Sequence, residues 1–68
     1  MSMTRKIEAI ERRLVKMMAR SEDDKKRYEP AYQYIKTALD AANEDNNVDA
    51  LEAMQKFNTM MNELKLLQ

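Results

Sequence analysis

The sequence contains no cysteine, histidine, glycine or tryptophan, and only one proline. Without cysteine, disulfides and iron–sulfur clusters are excluded, and the lack of histidine removes nearly every structural zinc arrangement as well. The same absences remove His and Cys as nucleophilic or acid–base groups, and the two serines, Ser2 and Ser21, are at positions suited to helix caps. We therefore expect neither an enzyme nor a bound cofactor. A chain of 68 residues has a thin core, which small domains commonly supplement by binding a second subunit. This predicts self-association, most simply a homodimer.

The residues that are present favour helices. Charged residues make up 35% of the chain, and alanine, methionine, leucine, glutamate and lysine are abundant, which are residues that lose little on entering a helix. No apolar run is long enough to span a bilayer, and the first residues lead directly into charged ones. We therefore expect a cytoplasmic, all-α protein with neither a signal peptide nor a membrane span.

Apolar residues near the N-terminus recur at the spacing that aligns side chains along one side of a helix. They are Met3, Ile7, Ile10, Leu14 and Met17. This pattern predicts helix 1 over about 4–20. The periodicity stops at Ser21, where a run of seven polar residues begins.

The polar segment 21–29 is predicted to be a solvated turn, although a single long helix running to Tyr28 is a competing interpretation. Pro30 has no amide hydrogen to donate, and it disfavours a helix that continues through it by about 3 kcal/mol. It is well suited to a first helical turn, so helix 2 is predicted over about 30–44.

The Asx-rich segment 43–47 predicts a tight turn, because Asn and Asp side chains bond to nearby backbone. Asn46 or Asn47 is expected to cap helix 3, over about 47–67. The predicted fold is a small three-helix bundle, in which helices 2 and 3 form an αα-hairpin and helix 1 is the N-terminal amphipathic helix. Its predicted core consists of Ile7, Ile10, Leu14, Met17, Ile35, Leu39, Met54, Phe57, Met61 and Leu64.

The packing order of the helices is left open by the sequence. One arrangement is a closed bundle that buries Tyr28. The other is an extended first helix swapped onto a second chain, in which Tyr28 is displaced from the core.

The spacing Asp45-x-Asn47-x-Asp49 matches the first three ligands of a calcium-binding loop. The rest of that motif is absent, because alanine occupies the glycine position and Lys56 occupies the position of the bidentate glutamate. We interpret the segment as a capped turn and predict no metal site.

Helix 1 carries the most informative charge pattern. Six Lys or Arg and two Glu give residues 1–20 a net charge of +4, and the neutrality of the whole chain leaves −4 for residues 21–68. With residues placed at 100° intervals, five of these cations share one side of the helix. This predicted basic face consists of Arg5, Arg12, Arg13, Lys16 and Arg20. Several like charges are four residues apart, which disfavours the helix slightly and is therefore not explained by helix stability.

A second candidate surface is apolar. The chain has seven methionines, and their flexible side chains fill core gaps or form adaptable contacts with partners. The predicted apolar interface comprises residues at the edges of the apolar stripes, or outside them: Met18, Tyr34, Met60, Leu66 and Leu67.

Three functional hypotheses follow from these surfaces. The first is a non-catalytic protein–protein interaction module, such as a small adaptor, inhibitor or assembly factor, that binds a larger macromolecule. The second is a nucleic-acid-associated regulator that contacts phosphates through the basic face, without the Asn or Gln side chains there that read base edges. The third is a purely structural oligomer.

Overall fold

The computed structural model describes the backbone of residues 3–66 and the side chains of residues 3–65. It contains α1 (Met3–Met18), α2 (Glu22–Asn43) and α3 (Asn47–Leu66), with no strand among the described residues. The predicted all-α fold of three helices is confirmed.

The connection between α1 and α2 is much shorter than predicted. After α1 ends at Met18, the amide of Arg20 still donates to the carbonyl of Met17 at 3.3 Å, and α2 begins at Glu22. Ser21 caps α2, because its hydroxyl accepts a hydrogen bond from the amide of Asp24 at 3.0 Å. Three carboxylates in the first turn complement the helix dipole. The prediction of a polar turn over 21–29 is therefore wrong, since this segment is a well-capped start of a helix.

Pro30 lies inside α2 and not in its first turn, so that prediction is also wrong. Its ring is exposed to solvent. On the solvent side, water can hydrogen-bond the carbonyl that loses an amide partner. Two turns with a strong cap precede Pro30, and they outweigh the local penalty of the proline.

The turn between α2 and α3 satisfies the carbonyls at the end of α2. The amide of Asn46 donates to the carbonyl of Ala41 at 2.8 Å, and that of Asp45 donates to Ala42 at 3.1 Å. This Schellman pattern places Asp45 in the left-handed region, with φ of 59°. Asn46 then caps α3, because its side-chain oxygen accepts from the amide of Asp49 at 3.2 Å. The predicted turn and cap are confirmed.

The long α2 is the central element of the bundle. Thr4, in the first turn of α1, donates a hydrogen bond to Asn43, in the last turn of α2, at 3.5 Å, so these two helices are antiparallel. The short turn makes α2 and α3 antiparallel as well. Both outer helices pack extensively against α2 and make only marginal contact with each other. Tyr28 is only 4% exposed, as expected for the closed bundle.

Fewer large side chains are fully buried in the core than the sequence predicted. Of the ten predicted core residues, four are buried, namely Ile7, Leu14, Ile35 and Phe57. The other six are half-buried against this cluster: Ile10, Met17, Leu39, Met54, Met61 and Leu64. The other buried positions among residues 3–65 are Tyr28 and five alanines, which are Ala31, Ala38, Ala42, Ala50 and Ala53. Alanines allow close helix approach, which leaves the longer side chains at the margins.

None of the helices within residues 3–66 combines the length and the apolar character needed to cross a membrane.

Candidate interaction surfaces

The predicted basic face lies on the solvent side of α1. Its five residues, Arg5, Arg12, Arg13, Lys16 and Arg20, are all exposed. Within the described part of the chain none of them forms an ion pair; the two ion pairs there are Arg27–Asp24 at 3.9 Å and Lys56–Glu52 at 3.5 Å. Within residues 3–65 the positive charge of this face is therefore not neutralised by an ion pair.

The position of the basic face follows from the packing of α1. Ile7 and Leu14 are each 2% exposed and lie one above the other, two turns apart, where α1 meets α2. The cations occupy the opposite side of the same helix. Glu8 and Glu11 lie between these two sides and are half-buried. Glu8 lies one turn from Arg5 and Arg12 without forming an ion pair, and the charged side chains on the outer face itself are all positive.

The apolar interface candidates are partly used within the chain. Met18, Tyr34 and Met60 are half-buried against the core cluster. The side chain of Leu66 and the whole of Leu67 lie outside the described residues. Tyr34 lines the groove between α2 and α3.

An apolar groove runs between the end of α1 and the start of α2. Its volume is about 290 Å³, and it is lined by Val15, Met18, Ala19, Lys25 and Tyr32. The ammonium group of Lys36 lies 6.0 Å from the centre of the Tyr32 ring, which is the range of a cation–π contact. We call this feature the α1–α2 groove. It joins exposed apolar surface to cationic side chains.

The groove between α2 and α3 is larger, about 420 Å³, and has a different character. Apart from Tyr34 and Met60, its lining is polar or charged: Glu52, Gln55, Lys56, Thr59 and Glu63. Its charges include the Lys56–Glu52 pair, in which both side chains are largely exposed. The apolar part of this groove is therefore mixed with charged side chains of both signs.

Three large aliphatic side chains that were not predicted as interface residues are exposed among the described residues. Val15 is 46% exposed, Leu51 is 54% exposed and Val48 is 74% exposed. All three lie beside or opposite the apolar stripe of their helix. This position outside the stripe is the sequence signal that indicates their exposure.

The Asx-rich turn is occupied by its own hydrogen bonds. The amide nitrogen of the Asn46 side chain donates to a carboxylate oxygen of Asp49 at 2.6 Å, in addition to the cap that Asn46 provides. Across residues 3–65 no three acidic side chains are grouped so as to hold a metal ion.

No profile of a known protein family, no curated protein and no solved structure matches this chain.

Proposed function

We propose that this protein is a non-catalytic protein–protein interaction module, which docks on an acidic surface of a larger macromolecule through the basic face of α1. The observation that carries the proposal is that five exposed cations share one side of a helix and make no ion pair within the described residues. Uniform positive surfaces of this kind steer association with negatively charged partners.

The packing of α1 supports the same interpretation. Its contact with α2 uses Ile7 and Leu14, so the cations on the other side are not needed to hold the bundle together. Like charges four residues apart, such as Arg12 with Lys16, weaken the helix slightly. The basic face therefore slightly disfavours folding. Its presence is not explained by stability, whereas a docking role explains it.

The test is affinity capture by the immobilised full chain, with identification of the retained proteins. The double variant Arg13→Gln/Arg20→Gln removes two cations from the basic face. The matched control Lys26→Gln/Lys65→Gln removes two exposed cations elsewhere. We expect wild type and control to retain the same acidic protein and the basic-face variant to lose it. Equal retention by all three chains would contradict the proposal.

Nucleic acid is the second candidate, since the same unpaired cations could contact phosphates. If all five do so, affinity for a DNA or RNA duplex should fall by roughly 10² to 10³ between about 50 and 200 mM salt. Absence of binding at low salt would eliminate this candidate. A purely structural oligomer, the third candidate, would retain only copies of itself in the capture experiment.

A further inference from the structure

We infer that copies of this chain associate head to tail, with the exposed aliphatic residues at the start of α3 seated in the α1–α2 groove of a second copy. These two surfaces would account for the predicted self-association, which is separate from docking on another protein. The inference rests on the chemistry of those surfaces, which are complementary and cannot meet within one copy.

The groove is the receiving surface. Val15, 46% exposed, forms its α1 wall together with Met18 and Ala19, and Tyr32 and Lys25 form its α2 wall. Its volume of about 290 Å³ lies near the lower limit of small-molecule pockets. The groove is therefore suited to a small number of aliphatic side chains.

Cations outnumber carboxylates around the groove. Arg12 and Lys16 are next to its α1 wall, Lys25 is part of its lining and Lys36 lies over Tyr32. The neighbouring carboxylates are Glu11, Glu22 and Glu29, three against the four cations, and Glu29 accepts a hydrogen bond from Gln33 at 3.2 Å. The rim of the groove is thus net positive.

The entering surface, which we call the α3 patch, is aliphatic at its centre and negative around it. Val48 and Leu51 are the most exposed large aliphatic residues described. Four carboxylates flank them, and between residues 37 and 55 there is no Lys or Arg. The carboxylates are Glu44, Asp45, Asp49 and Glu52.

Two of these four carboxylates have partners within the chain. Asp49 accepts from Asn46, and Glu52 pairs with Lys56. Glu44 and Asp45 make no ion pair in the described part of the chain. The patch therefore presents a net negative rim around an apolar centre, which is the complement of the groove.

Within one copy the two surfaces are kept apart by α2. The groove uses Tyr32, whereas α3 packs on the side of Tyr34, and residues two positions apart lie on nearly opposite sides of a helix. The α3 patch of one copy can therefore reach only the groove of another. A contact between two different surfaces is heterologous, so it builds a ring or an open chain of copies.

The experiment uses two variants of the full chain, each measured alone and then mixed. Val15→Glu places a carboxylate in the groove, and Leu51→Lys places an ammonium group in the patch. Both positions are largely exposed, so both variants should keep the fold, which circular dichroism would verify. The matched controls Thr59→Glu and Thr59→Lys make the same charge changes at an exposed residue outside both surfaces.

The expected result is a specific pattern in sedimentation velocity at low salt. The wild-type chain and both controls associate as concentration rises, and each interface variant alone associates at least about tenfold more weakly. An equimolar mixture of Val15→Glu and Leu51→Lys restores one intact contact. It should associate more strongly than either variant alone, because the unchanged patch of one variant meets the unchanged groove of the other.

Three results would overturn the inference: a wild-type chain that stays monomeric at high micromolar concentration, interface variants that associate like wild type, or a mixture that stays monomeric. These outcomes leave the basic face intact. Capture of an acidic partner that depends on Arg13 and Arg20 would survive them, so the two proposals fail separately.

Discussion

The two helices that flank α2 pack against it with side chains of different size. The contact of α1 uses Ile7 and Leu14, both buried almost completely. The contact of α3 uses Ala50 and Ala53 together with one large residue, Phe57. Because the spacing of packed helices depends on the side chains between them, small residues allow α3 to approach closely. The contact of α1 should therefore be sensitive to lost volume, and that of α3 to added volume.

The largest loss of stability is expected from a smaller side chain in the contact between α1 and α2. Leu14→Ala should lower the free energy of unfolding by about 3 kcal/mol, because a leucine that is 2% exposed leaves a cavity in a small core. Urea unfolding, monitored by circular dichroism, measures this loss of unfolding free energy. The neighbouring Val15→Ala is the control, and its effect should stay below about 1 kcal/mol, since Val15 is 46% exposed. Equal losses at both positions would show that α1 does not pack as described.

A smaller loss of stability is expected from a larger side chain in the contact between α2 and α3. Ala53→Leu forces a larger side chain into a site that is 4% exposed, and it should destabilise the fold by about 2 kcal/mol. Gln55→Leu makes a comparable addition at an exposed position of the same helix, and it should change stability by about 0.5 kcal/mol or less. Thermal unfolding of the two variants measures both changes in stability. A neutral Ala53→Leu would contradict the close contact between α2 and α3.

The smallest effects concern the caps that begin α2 and α3. Ser21→Ala and Asn46→Ala each remove an acceptor for a backbone amide, so each should reduce stability by about 1 kcal/mol. Ser21→Thr and Asn46→Ser each keep an acceptor for the backbone amide and should retain most of the stability. The loss at Asn46 should be slightly greater, because its side chain also donates to Asp49. An unaffected Ser21→Ala chain would contradict the start of α2 at Glu22.

The three helices could be predicted because their signals are local. The spacing of Ile7, Ile10 and Leu14 marks α1, and the Asx-rich turn marks the boundary between α2 and α3. The start of α2 also has a local signal, since Ser21 is followed by carboxylates, but the proline nine residues later opposes a helix there. The exposed position of Pro30 in the folded helix, which makes the proline tolerable, cannot be read from the sequence.

The interaction surfaces were predictable to different degrees. The basic face depends only on residues of one helix, so its position on a helical wheel was sufficient. The α1–α2 groove combines Val15 with Tyr32 from another helix, and only the packing of α1 against α2 brings them together. The partial burial of Tyr34 likewise depends on the packing of α3.

The central claim is that the basic face of α1 serves docking and not folding. Its most direct test is the affinity of the captured acidic partner for the wild-type chain and for the Arg13→Gln/Arg20→Gln chain, both verified as equally stable by thermal unfolding. We expect the double variant to bind at least about tenfold more weakly while unfolding at a temperature no lower than that of wild type. Equal affinity, or a loss of binding explained by a loss of stability, would contradict the claim.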